Sequence, residues 1–141
     1  MRLADPEASE DPPRRYVLVE SDRYAAERDQ AVLSRNRTLG PGYAQRWYMR
    51  LSQRSFDLPG FPGPLSHAKD EAASTVFGRE VRRFLYYGPT NKRTGTPVRI
   101  LFTVLPPAPD EPPETAETVI LLLRLLHGAQ ALPPEDLAEG E

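Results

Sequence analysis

Six cations, Arg79, Arg82, Arg83, Lys92, Arg93 and Arg99, crowd one part of this chain and are interleaved with Phe84, Tyr86, Tyr87 and Phe102. Guanidinium and ammonium groups hold phosphates and aromatic rings stack on bases, so this mixture suits contact with single-stranded RNA. On an alternating strand Arg82, Phe84 and Tyr86 share one face, while Val81, Arg83, Leu85 and Tyr87 share the other. One of those faces must also accept packed helices, which makes core the competing role for the rings. Arg99 stands inside the apolar run "VRILF". A guanidinium in such a run has to reach solvent, a carboxylate or a ligand.

Two further groups can move protons. His67 and His127 are the only histidines, and there is no cysteine. They lie far apart in sequence, so no metal site is spelled out and disulfide or thiolate chemistry is excluded. His127 closes "TVILLLRLLHGAQ", residues 118 to 130. Its imidazole titrates near neutrality, so it can act as a general acid or base, or simply end a strand. No Walker loop, GxSxG elbow or GxGxxG fingerprint occurs, and no cofactor is expected.

The elements that must position these groups follow from pattern. "RRYVLVES", residues 14 to 21, is short, β-branched and aromatic, and predicts a strand. Ser21 or Asp22 then caps a helix ending near Asn36 to Thr38, with Tyr24, Ala25, Val32 and Leu33 on one face and Arg28, Asp29 and Arg35 in water. Pro41 suits the first turn of a second helix, whose Ala44, Trp47, Tyr48, Leu51 and Ser55 recur at helical spacing before Pro59 and Gly60 stop it. Arg46, Arg50 and Arg54 fall four apart and form a basic row, either a solvated face or a contact. Residues 59 to 67 alternate Pro and Gly too densely for regular structure.

"GREVRRFLYYGP" and "TPVRILFTVLP" flank "NKRTG" and predict a β-hairpin with a basic tip. A Pro-rich acidic insert, residues 106 to 117, leads to the last strand, whose apolar residues on both faces predict a central place in the sheet. The expected fold class is α+β: strand, helix, helix, then three strands, in a mainly antiparallel sheet with its helices on one face.

Charge is unevenly laid out. Residues 1 to 13 carry one cation against four carboxylates, residues 14 to 132 carry 17 against 12, and residues 133 to 141 carry none against four. A basic body between acidic ends favours anionic partners, nucleic acid or acidic protein, unless its arginines serve only solubility. At 141 residues the chain has room for one domain with a real core. The reading is an acidic N-terminus, 1–13, a domain over 14–130 and an acidic tail, 131–141. The opening segment lacks the apolar stretch of a secretory signal, and the run at 119 to 126 is too short to span a bilayer. A cytoplasmic protein without a membrane partner is expected.

The order of elements, with "FGREVRRFLYYG", "VRILFTV" and "VILLLRLLHGAQ", resembles the RelE/ParE superfamily of type II toxin–antitoxin toxins, particularly plasmid-stabilisation proteins, over roughly residues 16 to 130. The resemblance implies a small growth-inhibiting toxin held inactive by a cognate antitoxin. ParE-like members inhibit DNA gyrase. RelE-like members enter the ribosome and cleave mRNA as an endoribonuclease. Carried onto this chain, Arg99 and Arg82 match basic positions of the nuclease site, with His127 and Gln130 completing the candidate catalytic set. Arg79, Arg83, Tyr86, Tyr87, Lys92 and Arg93 are candidates for target or nucleic-acid binding. Phe84 falls near a second basic position, and Gln130 stands where the family's final "HGAR" has arginine. Loss of preorganised positive charge where negative charge develops costs orders of magnitude in rate, so target binding is the first expectation, with nuclease or a degenerate non-toxic antitoxin-binding module as alternatives.

Overall fold

A computed structural model describes residues 15–60, 63–90 and 95–128. The first strand, β1 (Tyr16–Glu20), runs straight into Ser21, whose hydroxyl accepts from Tyr24 N and caps α1 (Asp22–Leu39). The same hydroxyl donates to Leu123 O, so the cap also pins the helix start to the sheet. After Gly40, Pro41 opens α2 (Pro41–Phe56), antiparallel hairpin fashion. A 3-10 turn at Pro64–Ser66 is all the regular structure in the Pro/Gly stretch among the described residues. Three strands close the fold: β2 (Arg82–Tyr86), β3 (Val98–Leu105) and β4 (Thr118–His127).

Among the described residues the fold is α+β, with three α-helices and a four-stranded mixed sheet in the order β1-β4-β3-β2. β2, β3 and β4 form the expected antiparallel meander, and β1 joins the outer edge of β4 in parallel. The last strand is therefore interior, as its two-sided apolar pattern requires.

Two expectations need correction. A third helix, α3 (Glu71–Phe77), precedes β2, capped by Asp70 and ended by Gly78 in the left-handed region at φ 69°. Nor do all helices share one face. Tyr24, Ala31, Trp47 and Leu51 of α1 and α2 pack with Phe84, Tyr86, Ile100, Phe102 and Leu122 on one side. Ala73 and Phe77 of α3 pack with Val81, Leu101 and Leu126 on the other.

The larger core is aromatic. Trp47 and Tyr86 meet edge to face at 5.2 Å, and the Tyr86 hydroxyl donates to Trp47 O at 2.7 Å. Arg28 and Arg35, expected in water, instead lie against rings: Arg35 sits 4.1 Å from the centroid of Trp47, and Arg28 faces Tyr24 and Tyr48. A guanidinium's flat, weakly hydrated face can lie on an aromatic ring, and the burial this brings lowers the Arg35 pKa. Leu33, expected on the packed face of α1, is 41% exposed.

Past the end of β1, the edge of β4 is sealed differently. The register slips between Leu101 and Phe102, leaving Leu123 as an extra residue in β4. Glu27 of α1 meets this irregularity with one carboxylate, accepting from Arg124 Nε at 2.9 and 3.0 Å and from Leu125 N at 2.9 Å. A ladder N–H that β1 is too short to reach thus finds its acceptor in a helix side chain.

Candidate functional site

Strand register decides which cations can act together. Arg83 lies opposite Leu101 and Arg99 opposite Leu85, so Arg83, Leu85, Arg99 and Leu101 share the face on which α3 packs. Arg82 lies opposite Phe102 and belongs to the other face, with Phe84 and Tyr86. The structure therefore separates Arg82 from Arg99 and brings Arg83 to Arg99.

Asp70 is where those two converge. Its Oδ1 accepts from Ala73 N at 3.0 Å as the helix cap, while its Oδ2 lies 3.7 Å from Arg83 Nη1 and 3.7 Å from Arg99 Nε. The demand raised by Arg99 in an apolar strand is thus answered by a carboxylate. Asp70 is itself fixed by its backbone, N donating to Val81 O at 2.8 Å, and Arg83 is held further by Nη1 donating to Lys69 O at 2.9 Å. Asp70 is only 8% exposed, yet the ion pairs are looser than hydrogen bonds, so the carboxylate offsets the guanidinium charges while its hydrogen-bonding capacity goes to the helix.

α3 has seven residues and covers only part of this face. Leu85, beside Arg99, stays 41% exposed, and the Arg83 side chain is 37% exposed. The uncovered half is a basic and apolar strip on two paired strands. Arg79, just after the helix, is exposed, and Tyr87 is half-buried. Lys92, Arg93 and Gln130 lie outside the described residues.

The remaining candidates serve elsewhere. Arg82 donates from Nη1 to His67 O at 2.6 Å and pairs through Nη2 with Glu80 at 3.2 Å. Tyr86 is buried in the larger core, and burial pushes its hydroxyl pKa up, which is core behaviour and not that of a base-stacking platform. His127 ends β4 opposite Val98, hence on the α1–α2 side and not beside Arg99. Partial burial holds its pKa below 6.5, nearby Arg35 pushes the same way, and Glu27 opposes them. The following Gly128 has φ 57° and donates to Pro97 O at 2.9 Å; a Cβ there would meet Thr96 Cγ2 at 2.8 Å. The glycine in "HGAQ" is therefore fixed by the end of the ladder.

Asp70 was missed by sequence reasoning, although "DEAASTVFG" carries the signal: an N-cap residue, an acid in the first turn and a left-handed glycine at the end. Among the described residues no group of three or more His, Asp or Glu is placed to hold a metal, and no helix is long and apolar enough to cross a membrane. The class defined by fold and site is an α+β domain with a half-open basic sheet face whose charge is partly offset by one buried carboxylate. Compared with family models, curated proteins and solved structures, the chain matches none.

Proposed function

We propose that this chain is the toxin of a toxin–antitoxin pair, acting by binding an essential target in the ParE manner, with DNA gyrase as the target and a cognate antitoxin as its inhibitor. The segments "FGREVRRFLYYG", "VRILFTV" and "HGAQ" support the family. One observation favours binding over cleavage: Arg82 and Arg99 lie on opposite faces of the sheet, with His127 on a different face from Arg99. A nuclease centre needs its cations and proton-transfer group within reach of one phosphate, and these three do not converge.

A second reading, ribosome-dependent mRNA cleavage, draws on the convergence of Arg83 and Arg99 on the half-open face. Induced expression without a neighbouring antitoxin gene separates the readings. Arrested growth with inhibited DNA supercoiling and intact mRNA supports the first. Codon-phased mRNA cuts that vanish in Arg99→Ala replace it with the second. Unchanged growth overturns both.

A further inference from the structure

The sheet has two edges, and they are finished differently. Beyond β2 the chain covers its own ladder: Arg83 N donates to Ala68 O at 2.9 Å, Asp70 N to Val81 O at 2.8 Å, and Arg54 reaches Leu85 O. Nothing comparable lies beyond β1 among the described residues. Thr118 N donates to Arg15 O and Ser21 N to Leu122 O, with Tyr16 opposite Thr118 and Glu20 opposite Leu122 in the parallel register. Alternation then turns the N–H and C=O groups of Arg15, Val17, Val19 and Ser21 toward β4. Those of Tyr16, Leu18 and Glu20 point away from it, and no backbone group among the described residues meets them.

An open edge pairs with another strand unless Lys, Pro, a bulge or a covering segment blocks it. β1 reads YVLVE and carries none of these. Leu18 packs toward α1 and α2, so Val17 and Val19 stand on the opposite face, with Val119 and Leu121 beside them on β4. All four are partly exposed, Val19 to 39%, and none is charged.

Charge selects what pairs here. The segment "RYVLVESD", residues 15 to 22, is basic at its start and acidic at its end. Antiparallel pairing with a copy of itself sets Arg15 of one chain beside Ser21 and Asp22 of the other, whereas parallel pairing sets like on like. The outward groups fix the register. With Leu18 opposite Leu18 of the second copy, Tyr16 faces Glu20, and every outward residue of each strand exchanges both of its hydrogen bonds. Slipping the pair until Glu20 meets Glu20 opposes two carboxylates. In the favoured register Val17 faces Val19 of the second copy at the non-hydrogen-bonded positions, where side chains lie closer.

We propose that this chain forms a symmetric dimer through antiparallel pairing of β1 with β1 of a second copy, joining the two sheets into one. Two five-residue strands bury little area, so the dimer dissociates on dilution. The inference rests on the β1 edge and does not depend on the toxin reading.

The test is sedimentation velocity of the full chain across a concentration series, with amide hydrogen exchange followed by NMR at both ends of the series. Monomer should convert to dimer as concentration rises. The Tyr16, Leu18 and Glu20 amides should exchange at least about tenfold more slowly in the dimer, while those of Val17 and Val19 stay protected throughout. Val19→Lys brings two ammonium groups near each other across the pair and should weaken dimerisation at least about tenfold. Its thermal melting should stay near that of the native chain, because Val19 is exposed. Val19→Glu should act alike, and mixing the two variants should restore a dimer. The exchange readout uses the native chain and decides the matter even where a variant does not fold. A monomer at every concentration, a dimer whose Leu18 amide exchanges as in the monomer, undiminished dimerisation in folded Val19→Lys, or a mixture of folded variants that stays monomeric would each overturn the proposal. So would a Leu18 amide already protected in the monomer, which would mean that the chain covers its own edge.

Discussion

Arg124 and Arg99 are both arginines in the middle of apolar strands, and each is answered by a carboxylate from a helix, yet the two arrangements differ in kind. Arg124 is 3% exposed and hydrogen-bonded by Glu27, which also takes Leu125 N. Arg99 has a side chain 20% exposed and lies 3.7 Å from an Asp70 oxygen that Arg83 approaches equally. The first is a sealed repair of the β4 edge, where the bulge leaves a backbone donor unserved. The second is loose, doubly cationic and beside an uncovered leucine. Geometry thus separates an arginine sealed inside the fold from one on a partly uncovered face, where residue type and local sequence do not.

The sharpest way to break that distinction is to remove each carboxylate. Glu27→Ala strands a buried guanidinium and the Leu125 N–H together, and should cost about 3–5 kcal/mol in urea denaturation. Adding Arg124→Met should recover much of that loss, because the cost lies in the uncompensated charge. Equal destabilisation in the single and double variants would mean that the pair is not the seal described.

Asp70→Ala should cost less, about 1–2 kcal/mol, mostly from the lost cap on α3, since ion pairs at 3.7 Å are looser than hydrogen bonds and hold less. Asp70→Asn keeps a capping oxygen and should be closer to the native protein in stability. Functionally the order reverses. With the internal counter-charge gone, the Arg83–Arg99 face should hold a polyanion more tightly, seen as elution from immobilised heparin at higher salt in Asp70→Asn. Elution at the native salt concentration would show that Asp70 does not restrain this face.

Much of this contrast was legible in the sequence, but unevenly. The strand runs, the Ser21 cap, the Trp47–Leu51–Ser55 stripe and the interior place of β4 follow from local pattern, and the structure keeps them. α3 escaped because seven residues after a Pro/Gly segment give too short a window for periodicity, leaving only its cap signals. Arg99's need for a partner was readable, whereas the partner's identity was not, because Asp70 reaches it only when α3 folds over the sheet. Arg82 was chosen over Arg83 on the family resemblance, and which of the two shares a face with Arg99 depends on the hairpin register, which local pattern does not give. Arg35 was placed in water because charge suggests solvent, and only the position of Trp47 one helix away reverses that.

The smallest effect concerns His127, at the end of the same strand as Arg124. Its folded pKa lies below 6.5, through partial burial first and the Arg35 charge second, against the pull of Glu27. The unfolded chain therefore takes up this proton before the folded one. The stability contribution is fully present above the unfolded value, is lost progressively as pH falls below it, and levels off beneath the folded pKa. His127→Gln should flatten this part of the stability profile when urea midpoints are compared from pH 8 down to about pH 5. Arg35→Gln should flatten it partly, since burial remains. If the native profile between those limits is unchanged by His127→Gln, partial burial and the Arg35 charge do not set the titration of this imidazole, although its register opposite Val98 puts it on the α1–α2 side of the sheet.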